Sequence, residues 1–413
     1  MADAQRHPCR YPARAWWGGQ LLAESTATVR VEVTDQPPVL CFPCEDVPFE
    51  LFLDAGHGTV GTPPTPARLW SLAADPVAGE GVLFSFEGSS ADGGWPSGFV
   101  AFDHDRVRVE LVDAVEGDSA RDVTTKRFPT WGDAADLVDI LDVRPDEHGG
   151  YVSVARANHR RNVVEGSQML GQAIVAAGRH APGRRVVSAS MVFMRPAEAR
   201  LPLHVDLEEL SAGRTFTTLM AHVGQDGRRC ATGILLLDVT SPDVIRHAVA
   251  PPDTAGPYDS EPCDMSVTGR DIRIVDGAYT GDPGAPVGPP VLEAWVRFRE
   301  VPEDPCLHAG LLAQFTGHVS IAAALRPHEG VGQDQSHRTL STGINAIGIS
   351  FHREVRADRW MLYRHLSTFA GDGMTHSECR VHDEDGALLA SFTVDAMVRP
   401  FATGAVVDER TSL

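Results

Sequence analysis

The sequence has no apolar stretch of membrane-spanning length, and its opening residues MADAQRHPCRYPARAWW carry charges and prolines where a secretory signal needs an apolar core. It also has no long basic run, and its formal net charge of -20 opposes contact with a phosphate backbone. We therefore expect a cytoplasmic protein with no membrane span and no nucleic-acid partner.

Cysteine pairs and familiar catalytic motifs are scarce. The seven cysteines are odd in number and scattered, which predicts reduced thiols, and the lone pair Cys41 and Cys44 has no second pair at zinc spacing. The chain contains no G-x-S-x-G, no H-E-x-x-H, no P-loop and no strand-associated G-x-G-x-x-G. We predict neither a metal site nor a nucleotide cofactor.

Residues 1–128 are predicted to form a small all-β domain, because short alternating runs are separated by turn residues and no long amphipathic helix pattern occurs. The predicted strands are Gln20–Glu24, Ala27–Thr34, Phe49–Leu53, Gly81–Phe86, Gly98–Phe102 and Val107–Val112.

The rest of the chain shows one order of elements twice: a strand, one long apolar helix, then four antiparallel strands. The predicted helices are Val164–Gly178 and Asp304–Leu325, the second beginning at Pro305 behind a capping Asp304. The strands are 150–158, 187–194, 203–210, 215–223 and 230–239, then 292–299, 347–353, 360–367, 375–381 and 387–398.

This order predicts an α+β tandem double hotdog, in which a sheet wraps around a long helix and the two copies pair edge to edge. We expect a first hotdog at 129–245, a linker at 246–290 that is rich in Pro, Asp and Gly, and a second hotdog at 291–413.

Residues 137–402 resemble the acyl-CoA thioesterase II (TesB-like) double hotdogs, and the matching stretches cover about two thirds of the chain in the family's order. They are VVEGSQMLGQAIVAA (163–177), MVFMRPAEARLPLHVDLEELSAGRTFTT (191–218), ALRPHEG (324–330), SFHREVRADRWMLY (350–363) and DEDGALLASFTVDAMVRP (383–400).

The N-terminal part resembles the small bacterial domain-of-unknown-function family numbered 427, through GGQLLAESTATVRV (18–31) and PPVLCFPCEDVPFEL (37–51). Where that family has a cysteine in T-x-C-P-x-K-G, this chain reads TVGTPP (59–64), so the cysteine is either replaced by glycine or lies elsewhere. This departure from the family motif favours a packing or docking module rather than an active site.

The thioesterase resemblance implies a site in the second hotdog, where Asp, Thr and Gln hold and activate a water. Alignment places Ala346 at the Asp, Val394 at the Gln and Thr368 at the Thr. Two polar residues lie next to the positions where the family's Asp and Gln are missing: Asn345 precedes Ala346, and Asp395 follows Val394. A one-residue offset on a strand turns a side chain to the other face unless a β-bulge intervenes.

A second candidate site lies at the start of the first predicted helix. Glu165 would be favoured there in its ionised form, and the first N–H groups could polarise a thioester carbonyl. Gln168, on the next turn, is a candidate substrate contact, with Asn158 and His159 as neighbours. The alternative is that Glu165 only starts the helix.

The sequence thus predicts a thioesterase-like protein of lipid metabolism that hydrolyses an acyl-CoA or acyl-carrier-protein thioester, with Arg195 and Arg353 as substrate-binding cations. Candidate catalytic residues are Glu165, Thr368, Asn345 and Asp395, and no cofactor is implied beyond the coenzyme A of the substrate. Two alternatives stay open: hydration or dehydration of an enoyl thioester, and acyl-thioester binding without catalysis. Homo-oligomer formation is also left open.

Overall fold

The computed structural model describes residues 4–8, 12–33, 39–60, 65–86, 95–103, 106–111, 121–122, 134–147, 149–154, 163–199, 201–263, 270–279, 285–298, 301–336 and 339–400. The chain divides into two compact units, one built mainly from residues 1–133 and the other from residues 134–263 and 269–413.

The described part of the first unit contains strands and short 3₁₀ turns, which confirms the expected small all-β region. Its strands are β1 (Ala4–Pro8), β2 (Ala13–Trp17), β3 (Gln20–Ser25), β4 (Val29–Val33), β5 (Val39–Pro43), β6 (Phe52–Val60), β7 (Thr65–Leu72), β8 (Leu83–Phe86), β9 (Phe99–Phe102), β10 (Arg108–Leu111) and β11 (Arg121–Asp122). They form a seven-stranded sheet in the order β1-β4-β5-β9-β8-β7-β6 and a four-stranded sheet in the order β11-β10-β2-β3.

The seven-stranded sheet buries apolar residues on both of its faces. In β5, Leu40 and Phe42 belong to one apolar cluster, whereas Cys41 between them belongs to another. A strand covered on both faces has no polar alternation. The residues of β5 therefore show none of the alternation that predicts a half-buried strand.

The described residues of the second unit form four α-helices and thirteen strands. They are α1 (Ala134–Leu141), β12 (Arg144–Pro145), β13 (Tyr151–Val152), α2 (Gly166–His180), β14 (Arg185–Phe193), β15 (His204–Ala212), β16 (Phe216–Gln225), β17 (Arg228–Asp238), β18 (Glu261–Pro262), β19 (Arg270–Ile274), β20 (Val291–Phe298), α3 (Pro305–Phe315), α4 (Ser320–Leu325), β21 (Leu340–Phe351), β22 (Met361–Gly371), β23 (Met374–Asp383) and β24 (Leu388–Pro400).

One antiparallel sheet runs through the whole second unit, in the order β12-β13-β15-β16-β17-β14-β21-β24-β23-β22-β20-β19-β18. The two halves join where β14 pairs with β21, with Val192 opposite Ala346. Helix α2 and α3 pack on each other so closely that a methyl group on Gly171 would lie 2.7 Å from the carbonyl oxygen of Gly310. This is the tandem double hotdog that the sequence predicts.

The prediction of one helix from Asp304 to Leu325 is wrong, because the chain leaves the helix after Phe315 and resumes at Ser320. The start is as expected: the Asp304 carboxylate accepts from the Cys306 N–H at 2.8 Å, with Pro305 in the first turn. At the break, the Thr316 hydroxyl donates to the Ala313 carbonyl at 2.6 Å and competes with the helical ladder.

The linker expected over 246–290 contains the strands β18 and β19. In β19, Arg270 pairs with Phe298 of β20 and is only 1% exposed. Of the strand predicted at 150–158, the structure describes Tyr151–Val152 as β13, and residues 155–162 lie outside the described part.

Candidate functional site at the start of the first hotdog helix

Glu165 is the residue immediately before α2, with an extended backbone (φ -66°, ψ 140°). Its main-chain carbonyl accepts from the N–H groups of Gln168 at 3.1 Å and Met169 at 3.3 Å and so starts the helix. Its side chain does not cap that helix and remains 49% exposed. The N–H groups of Gly166 and Ser167 precede the helical ladder and point out of the helix end.

The Glu165 carboxylate contacts the second hotdog instead. Its Oε2 accepts from Gln314 Nε2 of α3 at 3.3 Å and lies 3.7 Å from His318 Nε2. His318 belongs to the break between α3 and α4, and its ring stacks on Phe315 at 4.6 Å. The break in the helix therefore places an imidazole beside a carboxylate from the other hotdog.

The His318 ring is uncharged at neutral pH. Burial lowers its pKa to about 4; the nearby Glu165 carboxylate acts in the opposite direction, and the Arg270 guanidinium lowers it further. A neutral imidazole can accept a proton, so the pair combines a proton acceptor with an adjacent carboxylate.

The turn between α3 and α4 lies directly against the start of α2. A methyl group on Gly317 would stand 2.8 Å from Ser167 Oγ and 3.9 Å from Ile344 Cγ1. Ser167 is 2% exposed. Strand β21 therefore also reaches this place, one residue before Asn345.

Three of the predicted residues lie at this end of the first hotdog. Gln168 is buried on the first turn of α2, 5% exposed. Arg195 is exposed on the segment that follows β14. A hydrogen bond joins this segment to the residue before Glu165, because the Val164 N–H donates to the Ala197 carbonyl at 2.8 Å. The structure thus brings Glu165, Gln168 and Arg195 to the same end of the sheet.

Arg353 is not brought to that end. It follows β21, is exposed, and its N–H donates to the Leu389 carbonyl at 3.4 Å. Because β14 and β21 run antiparallel, the residues that follow them lie at opposite ends of the strand pair.

Asn345 occupies a β-bulge. In the pairing of β21 with β24, Ile344 is opposite Ala396 and Ala346 is opposite Asp395, which leaves Asn345 as the extra residue. Asn345 is exposed. One of the two bulges considered from the sequence is therefore present.

No corresponding bulge occurs at Asp395. Its pairs with Ala346 and His376 continue in register into those of Val394, which is 1% exposed and faces the core. Asp395 therefore faces the other side of the sheet. Its carboxylate contacts His376 Nδ1 at 2.7 Å, on the face opposite to the buried Val394 side chain.

Thr368 also lies at an irregularity, between the pairs that Ser367 and Phe369 make with β23. It is exposed, and its hydroxyl donates to the His376 carbonyl at 3.5 Å. The preceding Ser367 is the buried one, 7% exposed. Asn158 and His159 lie outside the described residues.

Sequence reasoning missed Gln314 and His318, because both fell within the supposed continuous helix, and missed Arg270 because it fell in a supposed linker. The one available signal was the Thr-Gly-His run at 316–318, which interrupts an otherwise apolar pattern. In the part of the chain that the structure describes, no group of three or more His, Cys, Asp or Glu side chains forms a metal site. No described helix has the length and apolarity to cross a bilayer.

The fold and the helix-end site define a double hotdog preceded by a small β unit, and comparisons with known proteins agree. The family models "Acyl-CoA thioesterase N-terminal domain" and "Acyl-CoA thioesterase C-terminal domain" match residues 155–237 and 247–398, and "Domain of unknown function (DUF427)" matches residues 5–113. The chain belongs to the acyl-CoA thioesterase family through residues 155–398 and carries a DUF427 domain in front of it.

Individual relatives are distant. Acyl-CoA thioesterase 2 of Haemophilus influenzae is 25% identical over 254 residues, covering 57% of this chain and 87% of the relative. Acyl-coenzyme A thioesterase 8 of Homo sapiens is 24% identical over 270 residues, covering 57% and 80%.

Solved structures share the fold. The tesB protein of Mycobacterium avium subsp. paratuberculosis has a TM-score of 0.55 at 20% identity, covering 64% of this chain and 99% of its own. The acyl-CoA thioesterase II TesB2 of Mycobacterium marinum has a TM-score of 0.53 at 24% identity, covering 64% and 98%.

Proposed function

We propose that the second unit hydrolyses an acyl thioester of coenzyme A or of an acyl carrier protein at a composite site made by Glu165 and His318. The observation that carries the proposal is the 3.7 Å approach of Glu165 Oε2 to His318 Nε2, across the boundary between the two hotdogs. The names of the relatives, which are acyl-CoA thioesterases, support the substrate class.

In this proposal a water lies beside Glu165 and His318 and attacks the thioester carbonyl carbon. One of the two groups takes the water proton as the new C–O bond forms. The C–S bond then breaks, the proton passes to the departing sulfur, and the products are a carboxylic acid and a free thiol. Because His318 is neutral at pH 7, it is available to accept that proton.

The start of α2 would stabilise the negative charge that develops on the carbonyl oxygen. The N–H groups of Gly166 and Ser167 point out of a 15-residue helix, and its dipole adds positive potential at the same end. Fixed donors aimed at a developing oxyanion are among the larger contributions to acyl transfer. Arg195, exposed at this end, suits an anionic group of the substrate.

The placement of the family-aligned positions supports the composite site as well. Ala346 and Val394 have no polar atom on their side chains to hold a water, and Asp395 lies on the other face of the sheet with His376. Asn345 is the extra residue of a bulge and follows Ile344, whose Cγ1 lies 3.9 Å from where a methyl group on Gly317 would stand.

Two substitutions test the composite site by release of free thiol from a panel of acyl-CoAs. Glu165→Gln keeps size and hydrogen bonding but removes the carboxylate, and His318→Gln removes the imidazole. Each is expected to lower kcat by roughly a hundredfold to ten-thousandfold. Glu208→Gln, which changes an exposed carboxylate on β15, is the matched control and should be silent.

The opposite pattern would count against the proposal. If Asn345→Ala or Asp395→Asn abolished turnover while Glu165→Gln left it intact, the reaction would take place at the positions of the second hotdog that align with the family's catalytic residues. If the parent bound acyl-CoA but released no thiol and changed no acyl group, binding without catalysis would replace hydrolysis.

Hydration or dehydration of an enoyl thioester is the second candidate, because a neutral imidazole and a carboxylate on two separate hotdogs can act on neighbouring substrate atoms. Mass spectrometry of the acyl product separates the two reactions. Hydration adds water across the carbon–carbon double bond and leaves the thioester intact, whereas hydrolysis releases the thiol.

A further inference from the structure

We propose that Gln314 is a positioning residue, locked in one orientation by Arg270, that holds the Glu165 carboxylate next to His318. This inference rests on the proposed role of Glu165 and goes beyond it, because it identifies what orients that carboxylate. Gln314 lies on α3 of the second hotdog, 149 residues from Glu165 along the chain.

The orientation of the Gln314 amide follows from its two neighbours. Arg270 Nη1 donates to Gln314 Oε1 at 3.3 Å, and a guanidinium has no acceptor to offer. The Gln314 Nε2 therefore has to face the other way, where it donates to Glu165 Oε2 at 3.3 Å. If the Gln314 amide were rotated by half a turn, its Nε2 donor would face the Arg270 donor and its Oε1 acceptor would face the Glu165 carboxylate.

The residues around this amide are buried. Gln314 and Arg270 are each 1% exposed. The Arg270 guanidinium lies over the Phe315 ring at 5.4 Å, and its main chain pairs with Phe298 in the sheet. The Glu165 side chain, by contrast, is 49% exposed and makes no capping bond to its own helix. A half-exposed carboxylate is thus held by a donor from the buried interior.

The same carboxylate oxygen serves both contacts, since Glu165 Oε2 accepts from Gln314 and lies 3.7 Å from His318 Nε2. Without the Gln314 donor, the exposed side chain is free to take rotamers that carry Oε2 away from the imidazole. Positioning errors of about 1 Å typically cost on the order of a hundredfold in rate.

The test is a double-mutant cycle on the full chain with acyl-CoA substrates. Gln314→Met keeps the length of the side chain and removes both hydrogen bonds. We expect kcat to fall by roughly ten- to a hundredfold with KM changed less than about threefold, because the group acts on geometry and not on substrate binding. In the Glu165→Gln background the same substitution should change kcat by less than about twofold.

Gln314→Glu covers the case in which Gln314→Met does not fold. It gives Arg270 an ion-pair partner and removes the donor to Glu165, so it should fold and show the same loss of kcat. The matched control is Gln172→Met, since Gln172 is also fully buried and donates to a main-chain carbonyl, that of Ile140, at 3.0 Å. Its kcat per folded molecule should equal that of the parent.

A second readout does not depend on turnover. In histidine-labelled protein at pH 7, the His318 imidazole resonance, assigned by its loss in His318→Gln, should shift alike in Gln314→Met and Glu165→Gln and stay in place in Gln172→Met. An unshifted resonance in Gln314→Met would overturn the inference.

The kinetic outcomes separate this inference from the proposed function. If Glu165→Gln lowers kcat but Gln314→Met and Gln314→Glu do not, or lower it equally in both backgrounds, only the positioning role fails. If Glu165→Gln itself is silent, the proposed function fails and the positioning role with it.

Discussion

Gly317→Ala adds one methyl group at the point where the two hotdogs meet at the candidate site. That methyl would lie 2.8 Å from Ser167 Oγ and 3.1 Å from Ser167 Cβ, closer than ordinary van der Waals contact. Rotation of the Ser167 hydroxyl relieves the first contact but not the second. The α3–α4 turn or the start of α2 therefore has to move.

We expect the change in the free energy of unfolding to be opposite in sign to that of an unhindered Gly→Ala substitution. Where the backbone permits it, Gly→Ala stabilises by about 0.4–1 kcal/mol by restricting the unfolded chain. An overpacked contact that backbone movement must relieve costs typically about 1–3 kcal/mol. We expect a net loss of about 1–2 kcal/mol in the free energy of unfolding, together with weakened thioester turnover as His318 moves from Glu165.

Urea denaturation of the full chain measures this loss, with Gly343→Ala as the control. A methyl group on Gly343, in β21 of the same hotdog, would meet no atom within 4 Å, so that variant should match or slightly exceed the parent. Ser167→Gly removes the obstructing atoms. The double variant should recover the overpacking cost, leaving about 1 kcal/mol for a glycine inside a helix.

Equal unfolding midpoints for Gly317→Ala and Gly343→Ala would refute the reasoning. That result would mean that the turn does not approach the start of α2 this closely, and the contact of Glu165 with His318 would lose its structural basis. An additive double variant would lead to the same conclusion, because independent sites do not compensate each other.

Patterns with a local period predicted much of the second unit. In β16, every second residue from Thr217 to Gln225 is buried, as the alternation in the sequence predicts. Such a pattern is visible because burial on one side of a strand repeats every two residues. In α2 the apolar residues Leu170, Ala173, Ile174 and Ala177 are buried as expected, and so is every other residue from Ser167 to Gly178.

The break in the second helix was not visible in this way. Apart from the Thr-Gly-His run at 316–318, residues 304–325 are apolar enough to continue a helix. The turn at Gly317 packs against Ser167 of the other hotdog, a contact between residues far apart in the sequence. The burial of Arg270 in β19 is also non-local, because Phe298, with which it pairs, and Gln314, to which it donates, belong to later elements. Tertiary contacts of this kind leave no period in the sequence.

Of the candidate site, only the part in the first hotdog could be predicted from the sequence. Glu165 was recognisable because helix starts have a local signature and N–H groups that favour a carboxylate. Its partners were not, because Gln314 and His318 reach it only after the two hotdogs pair. The offset of Asp395 was correctly anticipated by the alternation of strand faces, whereas the bulge at Asn345 had no local signal in Ile344, Asn345 or Ala346.

Two further predictions concern the second hotdog. Asp304→Ala should lower the free energy of unfolding by about 1–2 kcal/mol, because Asp304 caps α3 and also accepts from Arg179 Nη2 at 2.8 Å. Asp304→Asn should retain part of the cap. A urea midpoint for Asp304→Ala equal to that of the parent would contradict this prediction. His365 is fully buried, and burial first, then repulsion from His318 once acid protonates it, lowers the pKa of His365 from 6.5 to about 3. Between these values the unfolded chain binds a proton that the folded chain does not, so this group's contribution to stability is complete above pH 6.5 and declines as the pH falls, by up to about 1.4 kcal/mol per pH unit. The stability advantage of the parent over His365→Gln, measured by urea denaturation from pH 7.5 to 4.5, should therefore shrink with acidity, and a constant difference would mean that His365 is not held in its neutral form.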